Sequence, residues 1–202
     1  MAKLNEYPDL RLRTMGVNAE SPTELMRSGD IDVSFVVGSH NQPTEVPDGF
    51  DRTMLFRDWF RVVVPSNHPQ AKARANARNP KPIELITLAD DDLIAPGTDT
   101  SCGRAAVDAY KDAGVVPSIA HRLHDYPTSL RLVAAGAGVA LIPDLGLQDV
   151  PAGVTVLNPA HPRHRTVELL YRTSSAERPA MRTLIEAVQA STHEMGLDCY
   201  DQ

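Results

Sequence analysis

Leu132-Val133-Ala134-Ala135-Gly136-Ala137-Gly138-Val139-Ala140-Leu141-Ile142-Pro143 is the stretch on which the fold class turns. Thr128 to Ala135 reads as a helix, Gly136 as its stop, and Val139–Ile142 as a strand that follows at once. The two glycines stand after a helix and before a strand, the reverse of a dinucleotide-binding loop. Their reading is therefore a helix stop and a tight turn. The run is also too short, against the ~20 apolar residues a membrane span requires.

The alternation continues outward in both directions. Upstream, Leu10–Thr14 reads as a strand, with Leu10 and Leu12 on one face and Arg11 and Arg13 on the other. Ser21 fits an N-cap, Pro22 the first helical position and Glu24 the third residue of a capping box, with Gly29 closing that short helix. Ile31–Val37 is β-branched and apolar enough for a strand buried on both faces. Strand, short helix and strand make a parallel crossover unit. Arg61–Pro65 is a strand ending in a turn. The stretch Gln70–Pro82 carries Lys72, Arg74, Arg78 and Lys81 with no acid, and reads as a solvated loop. Asp91–Ala95 is a strand, and a helix through Ala105 and Tyr110 stops at Gly114. Downstream, Val154–Leu157 and Val167–Tyr171 are strands. A closing helix starts near Pro179 and places Met181, Leu184, Ile185, Val188 and Met195 at helical spacing. The sum is an α/β chain of two small parallel-sheet lobes.

Length and charge narrow the function. At about 150 residues per domain, 202 residues allow one large domain or two small ones. A net charge of −6 makes the chain poor material for gripping a phosphate backbone, so it is not expected to bind DNA by itself. Two cysteines cannot form a disulfide framework and fit a reducing, cytoplasmic setting. The charged, proline-containing start MAKLNEYPDL does not read as a signal peptide.

Two segments could bind a ligand. Ala95-Pro96-Gly97-Thr98-Asp99-Thr100-Ser101-Cys102-Gly103 leaves a strand and enters a helix through glycines and hydroxyls, a setting in which free amides attract anions. Its plainer reading is that Thr100 or Ser101 caps its own helix. Asp125-Tyr126-Pro127-Thr128-Ser129-Leu130 opens a second helix with a hydroxyl pair, and capping is again the plainer reading. Two such termini facing one site would favour a small organic anion. Cys102, in a first helical turn, is a candidate redox thiol, against the reading of a small packed residue. His121/His124 and His161/His164 are spaced HxxH, but no further ligands stand at matched spacing, so no metal or other cofactor is expected. No GxSxG, GxxxxGK[ST], GxGxxG or HExxH motif occurs, and an enzyme is not expected.

Taken together, these pieces resemble the effector-binding domain of LysR-type transcriptional regulators. Tyr7-Pro8-Asp9-Leu10-Arg11-Leu12, followed by Gly29-Asp30-Ile31-Asp32-Val33, is similar to the family's "yPdv.l" and "l..G.lDlai". Arg61–Pro69 resembles "l.lvvp..HPla", Leu88-Ala89-Asp90 with Leu93-Ile94 resembles "ladLp.I", and Leu132–Pro143 resembles "lVaaGlGialLP". The resemblance implies two Rossmann-like lobes joined by two crossover strands, as in type 2 periplasmic binding proteins, with a small molecule in the interlobe cleft. Lobe I would hold residues 1–63 and 163–202, and lobe II residues 64–162. Effector contacts implied by the resemblance are Gly16, Val17 and Asn18; Gly38 and Ser39; Pro96, Gly97, Thr98 and Thr100; and Pro127, Thr128 and Ser129.

The family's helix-turn-helix and the domain's own first strand have no counterpart in these residues, which would leave a gap in the lobe I sheet. The expected protein is a cytoplasmic ligand-sensing domain, forming dimers or tetramers, with no membrane contact and with DNA met only through a helix-turn-helix. Two alternatives stand beside it: a solute-binding protein of the periplasmic type, which would need a secretion signal, and a truncated fragment without independent function.

Overall fold

The computed structural model describes residues 11–16, 21–39, 45–195 and 197–199. The chain is a mixed α/β protein with five helices, α1 (Pro22–Ser28), α2 (Pro69–Ala75), α3 (Ser101–Asp112), α4 (Tyr126–Ala134) and α5 (Pro179–Glu194), among the described residues. Eight strands accompany them: β1 (Val33–Ser39), β2 (Phe50–Pro65), β3 (Asp92–Ala95), β4 (Ser118–Arg122), β5 (Val139–Pro143), β6 (Val154–Leu157), β7 (His164–Arg172) and β8 (Asp198–Cys199). They form two compact units. Of the described residues, the first unit takes those up to Gly38, those from Glu45 to Arg57 and those from Thr166 onward; the second takes Asp58–Arg165 with Ser39. The chain passes between units inside β2 and again inside β7. The sequence divides them at 63/64 and 162/163; the passage itself lies within continuous strand, where no glycine or proline marks it.

In the second unit β3 pairs in parallel with both β4 and β5, while β2 pairs antiparallel with β5 and β6. The sheet is thus mixed, where an all-parallel one is expected from the sequence. Its central strands β2, β3 and β5 are buried on both faces, and the period of two sorts them. Val62, Val64, Leu93, Ala95, Val139 and Leu141 pack on one side with Ala106, Ala109 and Tyr110 of α3. Val63, Ile94, Ala140 and Ile142 pack on the other with Leu130 and Val133 of α4. Gly136 (φ 79°) supplies the left-handed turn from α4 toward β5, as its place in the sequence requires.

In the first unit the strand order is β1–β7–β2, with β8 antiparallel to β2. β1 pairs with β7 and, among the described residues, has no strand on its other edge. Met26 of α1, Phe50 and Leu170 form its core, with Ile31 and Val36 against them. The Arg172 guanidinium donates to the Met26 carbonyl and to Asp32 (3.2 Å), tying α1 and the start of β1 to β7. Glu168 is buried, and Arg52 (3.0 Å) and the Thr166 hydroxyl (2.8 Å) satisfy its carboxylate.

Several local expectations change. Arg11–Gly16 is exposed and has no strand ladder, because alternation alone makes no strand without a partner to accept its hydrogen bonds. The Ser21 hydroxyl bonds Thr23 Oγ1 (2.7 Å) and caps nothing, so α1 begins with backbone bonds alone. β1 is not covered on both faces: Phe35 is 59% exposed. Part of the basic loop is helix α2, whose N-cap is His68, with its Nδ1 accepting from the Gln70 amide. Arg74 then clasps the carbonyls of Gln70, Lys81 and Pro82, while Lys72, Arg78 and Lys81 stay exposed. At the other end of the chain, Met195 lies past the end of α5 and is exposed.

Candidate effector site

β3 and β4 are parallel neighbours, with Ala95 opposite Arg122, so the turns that follow them leave the sheet side by side. The Leu123 amide donates to the Ala95 carbonyl (3.1 Å) and holds those turns together. The first turn leads into α3, the second into α4. The carboxyl ends of parallel strands, flanked by helix N-termini, are where open α/β sheets bind ligands.

Capping is visible at both termini. The Thr100 hydroxyl accepts from the Gly103 amide (3.0 Å) and donates to the Gly97 carbonyl (2.8 Å). This is the capping role expected of it. In α4 the cap is instead Asp125: its carboxylate accepts from the Thr128 amide (2.8 Å), and the Ser129 hydroxyl donates to its carbonyl (2.9 Å). Hydrogen bonds from Thr128 hold the Asp125 carboxyl below the usual carboxylate value. A carboxylate outcompetes a hydroxyl for the first-turn amides because its hydrogen bonds are charge-assisted. With those bonds made, the amides of Ser101 and Cys102 find no acceptor among the described residues. They are the open donors at this end of α3.

A buried ion pair joins the two termini from behind. Arg165, at the start of β7, donates through Nε (2.9 Å) to Asp58 of β2, and its Nη2 lies 2.8 Å from the same carboxylate oxygen as an ion pair. Its Nη1 meets Cys102 Sγ (3.2 Å) in the first turn of α3 and the Tyr126 hydroxyl (3.5 Å) in the first turn of α4. Its carbon also lies 5.9 Å from the centre of the Tyr126 ring. Asp58 in turn accepts from the Leu145 amide (3.0 Å), just after β5. The Asp58 side chain has no exposure and that of Arg165 13%. Burial pushes the Asp58 carboxyl above its ordinary value, against the pull of Arg165. Burial lowers the Arg165 value, but Tyr126, Cys102 and Asp58 together more than offset it. The Tyr126 phenol is pushed up by burial first of all.

Of the residues expected at the site, Pro96, Gly97, Thr98 and Thr100 lead into α3, and Pro127, Thr128 and Ser129 open α4, so the second unit brings these seven together. Pro96 and Ser129 are buried, Thr98 and Thr128 exposed. Gly38 is buried in β1, Ser39 ends that strand, and Gly16 is exposed outside any element. Val17 and Asn18 lie outside the described residues.

A family model settles what this architecture belongs to: the LysR substrate binding domain matches residues 2–192. The chain belongs to that family. The LysR domain described here is 28% identical over 154 residues to the transcriptional dual regulator GltC of Bacillus subtilis (strain 168), covering 76% of this chain and 48% of GltC. It is 26% identical over 139 residues to the regulator BenM of Acinetobacter baylyi, covering 68% of this chain and 42% of BenM. The chain thus spans less than half the length of these curated relatives, both of which are transcriptional regulators. Among solved structures, the BenM effector binding domain with its effector benzoate superposes with a TM-score of 0.78 at 22% identity, over 96% of this chain and 84% of that one. A cysteine mutant of OxyR from Corynebacterium glutamicum gives 0.70 at 27% identity, over 97% and 61%. The fold is therefore that of LysR effector-binding domains.

Asp58, Tyr126 and Arg165 join the two helix starts, and none is on the sequence-derived list. A signal for one of them exists: Arg57 and Asp58 interrupt an apolar run from Met54 to Phe60, and a carboxylate buried there needs a partner. That partner lies 107 positions away. No helix among the described residues is long and apolar enough to cross a membrane.

Proposed function

We propose that the chain is the ligand-sensing domain of a LysR-type transcriptional regulator, taking a small organic effector at the N-termini of α3 and α4. The observation that carries this reading is the pair of helix starts held side by side at the carboxyl ends of β3 and β4, with the Ser101 and Cys102 amides left without acceptors. Pro96, Gly97, Thr98 and Thr100 form one wall, and Pro127, Thr128 and Ser129 the other. Gly16, Val17, Asn18, Gly38 and Ser39 complete the proposed contact set. In a full regulator the domain acts within a dimer or tetramer, and a helix-turn-helix outside it meets DNA. Binding biases the domain between two states, which is how an effector controls transcription.

Benzoate, the effector of the BenM domain, is the natural first probe, followed by other small carboxylates and aromatic acids. A ligand at a hundred times its Kd stabilises the fold by about 2.7 kcal/mol, which a thermal-shift measurement resolves. Thr128→Ala removes one wall hydroxyl and is expected to weaken the hit by roughly tenfold, the worth of about 1.4 kcal/mol. No stabilisation by any of these acids, with Thr128→Ala leaving every melting curve in place, counts against the reading.

One observation favours a second reading. Arg165 Nη1 stands 3.2 Å from Cys102 Sγ, and a cation beside a first-turn thiol is the arrangement that reactive cysteines share. We propose on this basis that Cys102 can sense hydrogen peroxide. Its thiolate attacks one peroxide oxygen; an S–O bond forms, the O–O bond breaks, and hydroxide leaves and takes a proton to become water. Sulfur is oxidised to sulfenic acid and peroxide is reduced. In a Cys199→Ser background, equimolar peroxide is expected to add one oxygen to the intact mass and to block alkylation. Native protein that iodoacetamide leaves unmodified at neutral pH would end this reading.

A further inference from the structure

We infer that Asp58 is a selectivity residue of this site: it is the built-in counter-ion that cancels Arg165, so the helix ends present their amides without a net cation behind them. The inference rests on the proposed effector site and says which ligands that site prefers.

The argument is one of charge. Arg165 is the buried cation between the two first turns, and two of its nitrogens are committed to Asp58, at 2.9 and 2.8 Å. Arg104, at the same end of α3, is turned to the carbonyls of Thr98 and Asp99. Asp144, the next acid beside Asp58, is already matched by two bonds from Arg61, at 2.7 and 2.8 Å. The start of α4 is already capped by the Asp125 carboxylate, so what remains for a ligand is the partial positive charge at the start of α3, roughly half an elementary charge, with its open Ser101 and Cys102 amides. A site of that kind holds a polar or singly charged aromatic acid, and discriminates only weakly between the acid and its neutral amide. A site with a bare buried guanidinium prefers the acid strongly.

Replacing Asp58 by asparagine keeps the shape and releases the cation. Asparagine keeps an oxygen for the Leu145 amide but leaves the Arg165 guanidinium alone and so costs stability, as Arg165→Met does; the urea midpoint of each variant is therefore measured first, and both readouts are taken well below it. The uncovered charge also acts on Cys102, which the Arg165 Nη1 touches, and this gives a readout that needs no effector.

The experiment compares wild type, Asp58→Asn and the double variant Asp58→Asn/Arg165→Gln, all in a Cys199→Ser background. Benzoate and benzamide are titrated by calorimetry, and the rate of Cys102 alkylation by iodoacetamide is measured at neutral pH. Asp58→Asn is expected to raise the benzoate-to-benzamide affinity ratio by on the order of tenfold, the effect of one unit charge at short range in a partly buried site. It is expected to speed alkylation by a similar factor, and the double variant, again neutral, should return both quantities to within about threefold of wild type. An unchanged ratio in Asp58→Asn, or a double variant that loses benzoate altogether, overturns the inference, the second because Arg165 would then be a direct ligand contact. Should neither probe bind any variant, the alkylation rates alone decide: equal rates in all three proteins overturn the counter-ion role. The expected rates without binding would support that role and tell against the effector reading for these probes.

Discussion

Arg165→Met is expected to destabilise the second unit by about 3–5 kcal/mol at pH 7, the cost of leaving one partner of a buried ion pair without the other. Asp58 has no side-chain exposure; it accepts one hydrogen bond from Arg165 Nε and one from the Leu145 amide, and Arg165 Nη2 stands 2.8 Å from it as the ion-pair partner. Methionine fills much the same volume, so the loss is electrostatic rather than a cavity. Trp59 is the chain's single tryptophan; it stands next to Asp58 and packs edge-on against His164 with ring centres 4.8 Å apart. Urea unfolding followed by its fluorescence therefore reports on this part of the molecule.

The pH dependence gives the same prediction a sign. Burial raises the Asp58 carboxyl above its ordinary 3.8 and Arg165 pulls it back, so removing the arginine raises it further. A carboxyl raised in the folded state contributes stability that is fully present below pH 3.8 and is lost as the pH climbs through the folded value. The deficit of Arg165→Met should thus be largest near neutrality and shrink toward pH 4. A companion variant, Asp58→Leu/Arg165→Met, removes both charges and should regain most of the loss. A deficit under about 0.5 kcal/mol at pH 7, within the range of an ordinary surface substitution, would mean that the pair does not hold this region.

What the sequence made legible is what local rules govern. Val62–Val64 and Val139–Ile142 are unbroken apolar runs, and each sorts its residues onto two helix-covered faces. Gly136 and Gly29 stop their helices where glycine should. The candidate turns before α3 and α4 were found because hydroxyls and prolines cluster where helices begin. The failures have both local and non-local causes. Leu10–Thr14 has the alternation of a strand, but the described part of it pairs with nothing. The Asp125 carboxylate, not the hydroxyls after it, won the cap of α4. Helix α2 was hidden by four cations that suggested a loop, although His68-Pro69 carries a start signal. Above all, nothing local links Asp58 to Arg165, because their partnership exists only once β2 and β7 are folded.

Gly103→Ala should have the second large effect, against the rule that alanine stabilises helices. In a helix interior the exchange is ordinarily worth roughly 0.5–1 kcal/mol in alanine's favour. Here Gly103 is buried in the first turn of α3, and a Cβ on it would overlap the backbone carbonyl oxygens of Gly97 and Pro96. Both obstacles are main chain, so no rotamer change relieves them. The Gly97 carbonyl also accepts from the Thr100 amide (3.0 Å) and the Thr100 hydroxyl (2.8 Å), so pushing it outward breaks the cap that orders the turn. Overpacking of this kind typically costs about 1–3 kcal/mol, and a lost N-cap about 1 kcal/mol more. The sum exceeds the helix-propensity gain. The variant is therefore expected to unfold at lower urea than wild type and to lose ligand-induced thermal stabilisation, since Pro96, Gly97 and Thr98 move with the carbonyl. Asp108→Ala, an exposed change in the same helix, should shift stability by no more than about 0.5 kcal/mol. If Gly103→Ala proves as stable as that control and keeps its ligand response, the turn before α3 yields without cost and cannot be the fixed wall of an effector site.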